Sequence, residues 1–253
     1  MRPQSFALPL LLLAVLAMPA AGQERRRSRI EEAPRVYAGA NFLVAQPTGE
    51  FSDHIDQAFG GAFDFLLRVD DEGLVGLRLD GGFLSYGHES RPVPLSNTVG
   101  GRINVDLVTD NYIATVGVGP QIGLPRGRVQ PYLNGTVGVA YFGTQSSLHG
   151  SRGGDSFAST ENFNDAAFTW AGGAGAYIPL VRGRIPVSLD FGVRYNHNGE
   201  VDYLVKGGIQ DNPDGTITLH PIRSDANYVT FQVGASVGLR DHHRCRGDRR
   251  CKR

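Results

Sequence analysis

Two cysteines, two methionines and one tryptophan are all that 253 residues contain of these types. Both cysteines, Cys245 and Cys251, lie at the far end of the chain, so no disulfide can staple the region before them. The apolar run Phe6 to Leu16 has eleven residues, well short of the roughly twenty that a membrane-spanning helix needs, and no later segment comes close to that length. If this chain crosses a membrane, it does so as strands. Lys and Arg number 25 and so do Asp and Glu, and this zero balance points to neither nucleic acid nor an acidic partner. One more absence carries the most weight: eight stretches alternate apolar with polar or glycine residues, and none bears an Asp, Glu, Lys or Arg on its apolar face.

The last of these stretches is the clearest. Val229, Phe231, Val233, Ala235, Val237 and Leu239 fall on one face, with Tyr228, Thr230, Gln232, Gly234, Ser236 and Gly238 on the other, as a period of two requires of a strand. The others run over residues 36–45, 58–68, 74–86, 102–124, 129–142, 166–180 and 186–196. In the fourth, residues 102–109 alternate in the opposite phase to the rest, which places a bulge near Asp110-Asn111. Between the strands, segments 46–57, 87–101, 143–165 and 199–226 are long, and 69–73, 125–128 and 181–184 are short. Alternating long and short connections are the arrangement of outer-membrane barrels, with short periplasmic turns and longer external loops.

The start of the chain agrees with export. Arg2, the apolar run and the small residues Ala20-Ala21-Gly22 read as a signal peptide over 1–22, cut before Gln23. A charged periplasmic linker, 23–35, leads to a barrel domain over 36–240, and a basic tail, 241–253, follows. The expected fold is therefore all-β: a closed eight-stranded antiparallel up-and-down transmembrane β-barrel. Closure is required in lipid, where an open sheet edge leaves backbone groups unpaired.

Alternation alone does not say which face is inside. A soluble lipocalin-like ligand binder would turn the apolar rows inward, and a membrane barrel turns them out. Uncharged apolar faces, glycine-rich polar faces and strands of at least about 9 to 11 residues favour the second. The polar face then carries Asp64, Arg68, Arg78, Asp80, Asp190 and Arg194 into the lumen. Arg78 and Asp80 share a face at i, i+2, and Asp64 and Arg68 on the neighbouring strand are within reach of them. Buried charges need partners, so a polar network filling the lumen is expected and a wide pore is not, since eight strands close around little more than their own side chains.

The sequence GVGPQIGLPRGRVQPYLNGTVGVAYF, ending at Phe142, is followed by Trp170-Ala171-Gly172-Gly173, Tyr177-Ile178-Pro179-Leu180, Pro186-Val187-Ser188-Leu189 and Gly192-Val193-Arg194-Tyr195. Over about residues 36 to 240 the chain resembles the eight-stranded outer-membrane β-barrel domain family of Gram-negative bacteria. The resemblance implies the cell outer membrane as location, with membrane lipid and the barrel assembly machinery as partners. It also implies a structural, surface-binding or adhesion-type role. Many such barrels end on an aromatic residue that the assembly machinery reads, whereas here Leu239-Arg240 is followed by DHHRCRGDRRCKR.

No catalytic, cofactor-binding or metal-binding residues are expected, and the barrel is expected to be a monomer that meets an extracellular ligand through its loops. Cys245 and Cys251 suit a small disulfide in an oxidising periplasm; with His242 and His243 they fit common zinc spacings poorly. His88-Glu89-Ser90 and His149-Gly150-Ser151 each place a His two residues from a Ser, the spacing of a lipid-modifying hydrolase, in loops where such pairs are common. Residues 211–216 resemble a calcium loop only in oxygen count and read better as a hairpin turn.

Overall fold

The structure, a computed structural model, describes residues 34–95, 103–150, 155–183 and 185–239. The signal peptide and the tail cysteines Cys245 and Cys251 lie outside the described residues, as does Ser151.

Eight strands close a barrel. They are β1 (Val36–Pro47), β2 (Ala58–Arg68), β3 (Val75–Pro94), β4 (Asn104–Gly123), β5 (Gln130–Gly150), β6 (Ala158–Val181), β7 (Val187–Asn198) and, after four short strands in the last loop, β12 (Tyr228–Leu239). Each is antiparallel to its sequence neighbour, and β1 pairs with β12 from Val36–Leu239 to Pro47–Tyr228, leaving no open edge around the wall. No described helix is long and apolar enough to cross a membrane.

Alternation sorts the faces as lipid demands. Phe63 is 68% exposed and Leu133 63%, while Asp64 and Asn134 beside them are buried. Phe42, Phe65, Leu79, Val116, Val137, Phe168, Phe191 and Phe231 continue an apolar belt around the outside. An exposed apolar surface of this extent does not suit a soluble monomer, so the arrangement with apolar rows turned inward does not hold.

Three short turns close one end. In the first, Asp70 accepts hydrogen bonds from the Leu74 and Val75 amides, each at 2.8 Å, and Gly73 takes a positive φ of 75°. These amides, Val75 above all, hold the Asp70 carboxyl below its ordinary value. Pro47, Pro94, Gly150 and Asn198 mark the opposite, external end.

Here the structure departs from the expected boundaries. Strands β3 to β6 are 20, 20, 21 and 24 residues long, so most of the expected loops 87–101 and 143–165 are strand. The expected bulge also moves. Strand β4 keeps its register with β5 throughout, and the unpaired residue is Tyr86 on β3, opposite Asn111 and Tyr112. Residues 104–109 read as out of phase because β4 has left the lipid there. Above the membrane Val105 and Leu107 can face inward, and Asp106 and Asp110 outward into water.

The last loop does not extend β7 and β12 as one rising hairpin. It folds into two small sheets, β8 (Glu200–Tyr203) with β11 (Ile222–Asp225), and β9 (Ile209–Asp211) with β10 (Ile217–Leu219). The ladder breaks where Asn198 turns inward: its Nδ2 donates to Ala226 O at 2.5 Å, and its backbone N–H donates to Asn227 Oδ1 at 3.0 Å. The β9–β10 connection is a hairpin turn closed by Gly215, φ 85°, whose N–H donates to Asn212 O at 3.0 Å.

Candidate functional site: a filled lumen beneath an external pocket

Inside the membrane-spanning part, inward-facing side chains form an ionic belt. Arg78 on β3 is 1% exposed; its Nη2 lies 3.2 Å from Asp64 Oδ1 on β2 and its Nε 3.6 Å from Asp80 Oδ1. Arg194 on β7 approaches the same Asp80 oxygen through Nη1 at 3.3 Å and donates from Nη2 to Thr136 Oγ1 at 2.7 Å. Arg78 Nη1 also donates to Gln121 Oε1 at 3.0 Å, and Asn41 Nδ2 donates to Asp64 Oδ1 at 2.9 Å.

Asp190 belongs to the belt through hydrogen bonds, with no ion pair within 4 Å among the described residues. It accepts hydrogen bonds from Tyr132 Oη at 2.7 Å and Gln232 Nε2 at 2.8 Å. Arg68 stands apart from the other five residues, with its guanidinium 4.4 Å from the Tyr37 ring centroid at the periplasmic mouth. Glycine on the same face leaves room for these large groups. A Cβ at Gly175 would collide with the Tyr132 ring, and one at Gly173 with the Arg194 side chain.

Above the belt the lumen turns apolar. Leu43, Leu84, Ile113 and Phe142 point inward from the wall, and two loop pieces descend to meet them. One is a short 3-10 helix, Gly49–Asp53, whose Phe51 is 1% exposed; the other is β8, which buries Val201 and Tyr203. Phe51 meets Tyr203 edge-on with centroids 5.2 Å apart, and Tyr86 and Phe142 at 6.0 and 6.4 Å. Sequence reasoning missed this stopper. Phe51 stood in a polar loop, and the one available signal was the apolar alternation of Val201 and Tyr203 inside the last connection.

Outside the stopper lies a pocket of about 310 Å³, against about 30 Å³ for a cavity beside Asp80 and Arg194 in the lumen and about 20 Å³ for one at the periplasmic mouth beside Gly73 and Pro125. Its walls are the projecting parts of β3 to β6 and, facing them, the segment from Val205 to Ile217. Arg91 on β3 forms an ion pair with Asp211 on β9 that ties the two walls together.

Of the two His/Ser pairs, His88 and Ser90 do not meet, and Ser151 of the other lies outside the described residues. His88 Nδ1 contacts Asp110 Oδ1 at 2.6 Å, and Ser90 is not among its hydrogen-bond partners in the described residues. His149 Nε2 lies 3.0 Å from the hydroxyl of Ser147, a residue that the spacing had not singled out. Among the described residues no group of three or more His, Cys, Asp or Glu side chains could hold a metal ion.

A family model described as outer membrane protein beta-barrel domain matches residues 8–237. No curated protein matches the chain. Among solved structures it is similar to Neisserial surface protein A, at 16% identity over 83% of this chain and 100% of that one, with a TM-score of 0.49. OprG from Pseudomonas aeruginosa matches at 13% identity over 83% and 98%, with a TM-score of 0.44. Ail, the attachment invasion locus protein of Yersinia pestis, matches at 14% over 80% and 95%, with a TM-score of 0.38. The family match, the closed eight-stranded wall and the apolar belt place the protein in the cell outer membrane. The chain belongs to the outer membrane protein beta-barrel domain family.

Proposed function

We propose that the protein is a surface-binding barrel: a closed anchor that holds a recognition site above the outer membrane and passes no solute through its lumen. The observation that carries this reading is the contrast in open space. A cavity beside Asp80 and Arg194 in the lumen measures about 30 Å³ and one at the periplasmic mouth about 20 Å³, each enough for a water or two, whereas the external end builds one of about 310 Å³. Two different materials block the bore in series, the Arg78–Asp64–Asp80–Arg194 belt and the Phe51–Tyr203 stopper, so a rearrangement of one leaves the other in place.

The external walls suit recognition. One of them, the projecting parts of β3 to β6, is continuous with the barrel and holds a site more firmly than a free loop does. The test is conductance of the full-length protein in planar bilayers and swelling of liposomes in glycine. The expected result is no stable conductance step and no glycine entry. Steady conductance would make the barrel a channel and overturn the reading.

A further inference from the structure

The projecting sheet presents its residues in register. Glu89 on β3 stands opposite Thr109 on β4, Thr109 opposite Ser146 on β5, and Ser146 opposite Thr160 on β6. One row nearer the membrane, Asn111 is opposite Thr144, and the extra residue of β6, Asn162, turns toward them. At a strand spacing of about 4.8 Å, a row of four spans roughly 14 Å. The groups also hold one another: Thr144 Oγ1 donates to Asn111 Oδ1 at 2.7 Å, Asn162 Nδ2 donates to Ser146 Oγ at 2.6 Å, and the Thr109 and Ser146 hydroxyls are 3.0 Å apart. Thr144 is 1% exposed, whereas the Thr109, Ser146 and Thr160 hydroxyls are at least partly exposed and keep spare hydrogen-bonding capacity.

The facing wall is of another kind. Val205, Ile209 and Ile217 turn aliphatic surface to the same space. The rim charges cancel, with Glu89 and Asp211 against Arg91 and Lys206, and Arg91 and Asp211 are already paired. A fitting occupant is therefore uncharged, carries several hydroxyl groups on one side and shows carbon on the other. An anion finds no net positive field here, and a purely apolar ligand would strip water from the hydroxyl rows without replacing its hydrogen bonds. A pyranose ring has both sides, with hydroxyls around its edge and a C–H face. The volume is at the small end of the roughly 300–1,000 Å³ usual for ligand pockets, which suits a short ligand.

We infer that this pocket binds a neutral saccharide of one to three rings, its hydroxyls on the Thr109–Ser146–Thr160 row and its carbon face against Ile209 and Ile217. Glu89, at the end of the row, accepts hydrogen bonds from paired sugar hydroxyls. The inference rests on the surface-binding reading and adds the class of ligand.

The test uses the full-length protein in phosphatidylcholine nanodiscs prepared without sugar detergents. Cellobiose, lactose, chitobiose and N-acetyllactosamine are the neutral probes, with a sulfated chondroitin disaccharide as the anionic and triglycine as the peptide control, read by saturation-transfer NMR and calorimetry. At least one neutral disaccharide is expected to bind. Thr109→Val with Ser146→Ala is expected to weaken it roughly ten-fold or more, with the heat-dependent gel shift of the folded barrel retained. Ile217→Asp, on the loop wall and away from the barrel, is expected to weaken it independently. Binding that ignores both sets of substitutions overturns the inference. Binding confined to the sulfated or peptide probe overturns the saccharide class and leaves surface binding in place. Absence of binding by every probe removes this site, and only conductance in the bilayer test would remove surface binding as well.

Discussion

Arg78 keeps a charge almost wholly out of water because Asp64 and Asp80 flank it and Gln121 Oε1 accepts a further hydrogen bond from it. Removing one partner from such a group leaves an uncompensated buried charge, at about 3–5 kcal/mol. Asp64→Asn is expected to cost in that range. Asp190→Asn is expected to cost about 1–2 kcal/mol, because Asp190 accepts hydroxyl and amide hydrogen bonds and, among the described residues, has no guanidinium nitrogen within 4 Å. Urea unfolding in liposomes separates the two; equal losses would mean that the belt is not organised around Arg78. The sequence shows which charges share the inner face, since period two settles that. It does not show their height along the strand, so by face alone Arg68 groups with Asp64. Four residues of strand put them about 13 Å apart along β2, and Arg68 meets Tyr37 instead.

At the scale of elements, the strands within lipid were legible and their extensions were not. Inside the membrane an outward position must be apolar, so alternation reports the strand directly. Above it both faces meet polar surroundings or protein, and residues such as Pro92, Pro94 and Ser146-Ser147 read as loop although they pair across β3–β4 and β4–β5. The same change of surroundings produced the misplaced bulge. The short helix Gly49–Asp53 was hidden differently, since one side chain, Phe51, holds it in the mouth through contacts distant in sequence. Phe51→Ala is expected to cost about 3–5 kcal/mol as a core aromatic truncation. Amide exchange across residues 49–55 is expected to quicken while bilayer conductance stays absent, because the ionic belt lies beneath. Conductance in this variant would show that the stopper alone closes the bore.

The whole molecule is layered along its axis. Tight turns close the periplasmic end, an ionic belt and then an apolar stopper fill the bore, and a hydroxyl-lined pocket opens outside. Across the axis it is inside-out, with charge in the centre and phenylalanine on the surface, and the inner glycines let so narrow a wall hold residues the size of Arg194 and Tyr132. The sequence offers one clean reporter of this inversion. Trp170, its only tryptophan, is 44% exposed on the outer wall of β6, against Tyr195 and His197 at centroid distances of 5.8 and 5.3 Å. The most direct test is Trp170 fluorescence of the reconstituted protein in bilayers of brominated lipid, with acrylamide in the water as the opposing quencher. Strong quenching by acyl-chain bromine and weak quenching by acrylamide are expected if the apolar rows face lipid. Quenching by acrylamide with no response to brominated lipid would contradict the inside-out barrel.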